Sequence, residues 1–208
     1  MLQVGHVERF NPAVRAAARV VTTPRFIECH RLAEFTPRSL DIDVVMDLMI
    51  HDIDVILSLV DSDVAEIHAA GIGILTHKVD IANARIEFEN GCIANVTASR
   101  VSSERVRKIR LFQPSDYVSI DYAAREVAVV SLVPPDAGAD RPTIAGRSVE
   151  VEDVEPLKAE IASFLDAVRG DAPVAVSGED GRRALAVADR VLDSIRRHAE
   201  KTGVHAPR

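Results

Sequence analysis

Four polar residues in one apolar stretch, Asp47, His51, Asp54 and Ser58, have the types and spacing for proton-transfer chemistry. At about 100° per residue they fall within a helical stripe about 60° wide. A carboxylate one turn before a histidine suits general acid–base work, with Asp47 orienting His51 and tuning its basicity. The other positions of 45–60 are nearly all apolar, among them Val45, Met49, Ile53, Ile56 and Val60. A helix apolar around most of its circumference is a buried one, so its polar stripe must face a solvated cleft or internal partners. The plainer alternative is a solvent-facing stripe, or a histidine satisfied by neighbouring carboxylates. His51-Asp52-x-Asp54 also invites a metal reading. That reading is set aside, because Asp52 points away from His51 on a helix and no second histidine-rich element stands at ligand spacing.

The elements that position this stripe follow from caps, turns and periodicity. Leu2 and Val4 read as the end of a strand before Gly5, and Asn11-Pro12 predicts a capped helix over about 12–19. A strand over 21–35 and a buried helix over 43–60 come next. From residue 64 to 132 the pattern changes to period two. Ala82, Ala84, Ile86 and Phe88 alternate with polar residues, and Asn90-Gly91 predicts a tight hairpin before Cys92, Ala94, Val96 and Ala98 resume the alternation. Further strands are predicted at 64–74, 105–113, 116–122 and 126–132. Short turns between six or so strands predict antiparallel pairing. Residues 133–147 read as a long loop.

Two helices close the chain. The first starts at Pro156 and stops before Gly170, with Leu157, Ile161, Phe164, Leu165 and Val168 on one face. The second starts from a Ser177…Asp180 capping box and ends near Lys201 and Gly203. The predicted class is α+β: a large, mostly antiparallel open-faced sheet with helices packed on one face. The open face along 82–99 carries Asn83, Arg85, Glu87, Ile93, Asn95, Thr97 and Ser99, a mixture suited to sheet-to-sheet contact. A homodimer or homotetramer through that face is expected.

The 208 residues include 25 Lys+Arg and 32 Asp+Glu, a net charge of −7, with 47% hydrophobic and 27% charged residues. This composition belongs to a folded chain, and its acidic balance argues against nucleic acid or an anionic membrane as partner. No export signal is evident, and Cys29 and Cys92 read as buried thiols of a cytoplasmic protein. The ten glycines form neither GxGxxG nor GxxxxGK[ST], and Gly71-x-Gly73 sits inside a strand pattern. The chain therefore offers no nucleotide-binding loop.

Taken together, GHVERFNPAV (5–14), DVVMDLMIHDIDVILSL (43–59) and the hairpin ARIEFENGCIANVTASR (84–100) resemble the Gfo/Idh/MocA oxidoreductases. The resemblance covers essentially the whole chain, and the DxxxHDxD segment is its most specific part. It implies that 8–208 is a C-terminal substrate-binding domain and that 1–7 is the last strand of an N-terminal Rossmann domain lying before residue 1. It implies NAD or NADP as cofactor of the intact enzyme, with no cofactor binding by this piece alone. It also implies His51 as the acid/base, Asp47 beside it, and Arg9, Asn11 and Asp54 as substrate contacts. The substrate class implied is a sugar, with wording nearest to dehydrogenases of nucleotide-linked amino sugars such as UDP-N-acetylglucosamine. A non-catalytic oligomerisation or sugar-binding module is the alternative from a different class.

Overall fold

Asn90-Gly91 reverses the chain as its residue types demand: Gly91 has φ 82°, and the Asn90 side chain accepts a hydrogen bond from the Cys92 N–H. The computed structural model describes residues 1–114, 116–133 and 143–203. Its strands are β1 Phe26–Leu32, β2 Val64–Ile72, β3 Ile81–Phe88, β4 Ile93–Ser99, β5 Val106–Phe112, β6 Asp116–Asp121, β7 Glu126–Val133 and β8 Thr143–Val149. They form one sheet in the order β2-β3-β4-β1-β5-β6-β7-β8.

All neighbouring pairs are antiparallel except β1 with β4, which run parallel. The crossover that permits this contains the helical segment carrying His51, so β1 inserts at the centre of the sheet instead of lying at one end. Two further expectations need correction. The predicted loop over 133–147 gives way at Thr143 to β8, whose side chains are mostly exposed; an edge strand held by its ladder to β7 needs no apolar alternation. Residues 134–142 of that loop lie outside the described residues. Residues 1–6, read as ending in a strand, form no ladder: Val4 N–H donates to the Val176 carbonyl instead.

One face of the sheet is dry. Ala69, Ala84, Val96, Cys29, Ile109, Ile120 and Val127 lie in register across seven strands, and all are buried. Helices α1 (Pro12–Ala18), α2 (Ile50–Leu59) and α4 (Gly178–Thr202) cover this face. The opposite face carries the polar row Arg85, Asn95, Glu28, Arg110 and Ser119, with Phe112 stacked on Tyr117 and tilted against Phe26 toward one end. Ser99, expected on the open face, is buried at the strand end. Helix α3 (Pro156–Arg169) packs chiefly on a 3-10 turn at Val7–Phe10, and only its Ala167 is fully buried.

The predicted helix over 43–60 begins as a π turn, Val45–Met49, closed by the Ile50 N–H on the Val45 carbonyl. The wider turn shifts the angular phase of Asp47 from the uniform 100° spacing.

Candidate active site

The site forms where the 3-10 turn meets α2. Asn11 caps α1 by accepting the Ala13 N–H at 3.0 Å, and Pro12 supplies the first helical residue. Upstream, Val4 crosses α4 at Gly181, where a Cβ would come within 2.8 Å of the Val4 side chain. These contacts fix the turn and bring His6 and Arg9 to the polar stripe of α2.

His6 and His51 meet edge to face with ring centroids 5.7 Å apart. The Nδ1 atoms of both are buried without a hydrogen-bond partner. Burial, followed by the Arg31 guanidinium, holds His51 below the usual imidazole range against the opposing pull of Asp52, Glu8 and Asp47. Burial, then His51 and Arg9, does the same to His6. Both imidazoles are therefore neutral at physiological pH and able to accept a proton.

Asp54 is the third member. Its Oδ1 lies 3.5 Å from Arg9, while its Oδ2 is buried and unpartnered. Burial pushes its carboxyl up to about 6 even though Arg9 pulls it down. A cavity of about 240 Å³ opens beside it, lined by Arg9, Asp54, Leu57, Ser58, Asp180 and Arg183. A larger groove of about 300 Å³ between β2 and α4 includes none of these residues.

Behind the stripe stands a buried ion cluster. Arg31 of β1 donates to both oxygens of Asp52 at 2.6 and 2.7 Å and to Glu8 at 3.1 Å, and its guanidinium lies 5.5 Å from the Tyr122 ring centroid. Glu8 also accepts from Asn11 Nδ2 at 3.1 Å. Against the cost of burial, Asp52 and then Glu8 keep Arg31 charged. The cluster ties the 3-10 turn, β1 and α2 together, and so sets the distance between His6 and His51. Cys29 lies against it, fully buried with its thiol pushed up, and is no nucleophile.

The structure thus brings His51, Asp54 and Arg9 into one neighbourhood. Asp47 is half-buried on the π turn and makes no hydrogen bond to His51, whose Nδ1 has no partner. Asn11 commits its side chain to Ala13, Glu8 and the Tyr122 carbonyl. Sequence reading missed His6 and the Arg31–Asp52–Glu8 cluster. His6 stood three residues before Arg9, the spacing of one 3-10 turn, which is the available signal. Arg31 carried no signal, because its partners lie 21 and 23 positions away. Among the described residues, no group of three or more His, Cys, Asp or Glu side chains could hold a metal ion, and no helix is long and apolar enough to cross a membrane.

Comparison with known proteins adds the decisive observation. Residues 14–112 match the sequence profile of the GFO/IDH/MocA C-terminal domain. The chain is 38% identical over 200 residues to UDP-N-acetylglucosamine 3-dehydrogenase of Acidithiobacillus ferrooxidans, covering 94% of this chain and 62% of that protein. The chain belongs to the Gfo/Idh/MocA family. A solved structure of the same A. ferrooxidans enzyme superposes with a TM-score of 0.82 at 37% identity, covering 92% of this chain and 60% of that one. Levoglucosan dehydrogenase in complex with NADH and levoglucosan shares the fold, with a TM-score of 0.79 at 17% identity and coverage of 94% and 64%. The Gfo/Idh/MocA domain seen here therefore spans less than two thirds of the length of these relatives. Its eight-stranded open sheet is the α+β architecture expected from the strand pattern.

Proposed function

We propose that this domain is the substrate-binding and catalytic part of an NAD(P)-dependent dehydrogenase that oxidises a ring hydroxyl of a nucleotide-linked amino sugar. The carrying observation is the neutral His51 imidazole held against His6, within a chain 38% identical to a UDP-N-acetylglucosamine 3-dehydrogenase. His51 accepts the proton of the hydroxyl being oxidised. Asp47 binds a neighbouring hydroxyl and Asp54 receives a donor from the substrate at its free oxygen, with Arg9 as counter-charge. Asn11 acts through its cap, as a positioning residue.

The dinucleotide that serves such enzymes as hydride acceptor does not fit the residues present. Among the described residues, the positive-φ glycines are Gly91, Gly170 and Gly203, at a hairpin and two helix ends, and none forms a phosphate cradle before a helix. Its binding is assigned to the part of the relatives that this chain does not span.

The test is a hybrid in which that part of the A. ferrooxidans enzyme precedes Met1. The expected result is NADH formation that depends on UDP-N-acetylglucosamine and falls at least a hundredfold in His51→Ala. Full activity in His51→Ala overturns the assigned role. Sugar binding without turnover in the unaltered hybrid favours a non-catalytic module.

The proposal includes self-association through the open sheet face, where Asn83 donates to Thr97 at 2.8 Å near the centre of a surface mixing aromatic and paired polar groups. Light scattering should report at least a dimer, and Thr97→Glu should shift it to monomer. A native chain that stays monomeric at high micromolar concentration removes this element.

A further inference from the structure

Both imidazoles of the site are short of a hydrogen bond at the same atom. His6 is 6% exposed, and its Nδ1, like that of His51, is buried without a partner. An imidazole that takes a proton at one nitrogen already carries one at the other, and that second N–H needs an acceptor. A carboxylate or a backbone carbonyl usually accepts it. The carboxylates around His51 do not. Asp52 is held by both arms of Arg31, Glu8 accepts from Arg31 and Asn11, and Asp47 makes no hydrogen bond to His51.

The group that faces His51 is the ring of His6, at 5.7 Å between centroids and 84° between planes. At that separation a rotation of one ring, or one water, brings the unpartnered nitrogens into hydrogen-bond reach. His6 in turn has an anionic neighbour. Val4 lies against Gly181, so the chain brings His6 to the first turn of α4. There burial, His51 and Arg9 lower its proton affinity, and Asp180 opposes them. Asp180 also lines the cavity of about 240 Å³ beside Asp54.

We infer that His6 is the proton relay of this site: His51 accepts the hydroxyl proton at Nε2 and passes the proton on its Nδ1 to Nδ1 of His6. The transfer breaks an N–H bond on His51 as it forms one on His6, and no electrons are exchanged. His51 returns to neutral, and His6 carries the positive charge beside Asp180 until its Nε2 proton leaves to water. Exchange with water after product release restores the starting tautomers. The inference rests on the reading of His51 as the acceptor of the substrate proton, and it is tested both without turnover and with it.

Titration of the imidazole nitrogen resonances in the chain alone tests the link without turnover. The two rings should titrate as a pair, each resonance moving in both of two steps. In His51→Gln the midpoint of His6 should rise. In the hybrid described above, His6→Ala should lower kcat about tenfold and leave KM for UDP-N-acetylglucosamine unchanged. Added imidazole should restore at least half of the lost rate, which a purely structural role of His6 does not allow. His6→Gln fills the same space and should be equally slow without rescue. Independent single-step titrations of the two rings overturn the inference, as does a His6→Ala hybrid with full kcat or one that imidazole leaves slow. Should His6→Ala fail to fold, full kcat in His6→Gln overturns it in the same way. A hybrid that is inactive with His6 in place counts against the proposed activity, and the paired titration then decides the relay.

Discussion

Asp52 and Asp54 stand two residues apart on α2, each 1% exposed, and have opposite surroundings. Asp52 is held by both arms of the Arg31 guanidinium. Asp54 has one long contact to Arg9, an oxygen with no partner and a carboxyl raised to about 6. Burial alone does not distinguish them; satisfaction does. A buried charge with every lone pair engaged holds the fold together, whereas one left short of partners costs stability and is available to a ligand. The same contrast separates the Arg31 cluster from the two imidazoles beside it, each with a buried, unpaired Nδ1.

The largest effect should come from Arg31→Met, which strands the Asp52 and Glu8 carboxylates. Urea denaturation should report a loss of about 3–5 kcal/mol. A loss below about 1 kcal/mol would break the contrast at its structural end.

Asp54→Asn should act in the opposite direction. Because the folded carboxyl is raised, ionised Asp54 opposes folding above about pH 6, and the penalty disappears once both states are protonated, below about pH 4. The variant should gain about 2 kcal/mol at pH 8, with no gain at pH 3.5. A loss at pH 8 means that the Arg9 contact outweighs burial.

His6 and His51 sharpen the comparison by titration. Their folded values are lowered, chiefly by burial, so the unfolded chain binds protons more readily. Stability falls as the pH drops from about 6.5 through the folded values. His51→Gln should remove part of that acid-side loss, about 1 kcal/mol by thermal melts at pH 5 against pH 8. Imidazole proton resonances titrating above 6.5 would contradict the assignment.

The smallest effect belongs to Asp47→Asn, which removes a half-buried carboxylate that makes no hydrogen bond to His51. Stability should change by less than about 0.5 kcal/mol, while hybrid turnover falls. A large change in stability would move Asp47 to the structural side.

What could be read along the chain was what neighbours in sequence decide. Asn11-Pro12 starts α1, Ser177 and Asp180 cap each other at the start of α4, and Gly170 and Gly203 end helices in the left-handed region. Each depends on backbone groups within four residues, so the residue types suffice. The sheet's apolar faces were legible for the same reason, since period two needs only the strand itself.

Tertiary structure decided the rest. It placed β1 at the centre of the sheet, a choice among edges that differ only in distant partners. It recruited Arg31 to α2 across 21 positions and wound the Asp47 segment as a π turn. It made β8 a strand by giving it the edge of β7. It also left the apolar stripe of α3 uncovered, although its periodicity reads like that of any core-facing helix. Hydrophobic pattern says which side of a helix needs covering. Only the assembled fold shows whether this chain supplies the cover, because burial belongs to a pair of surfaces and not to one segment.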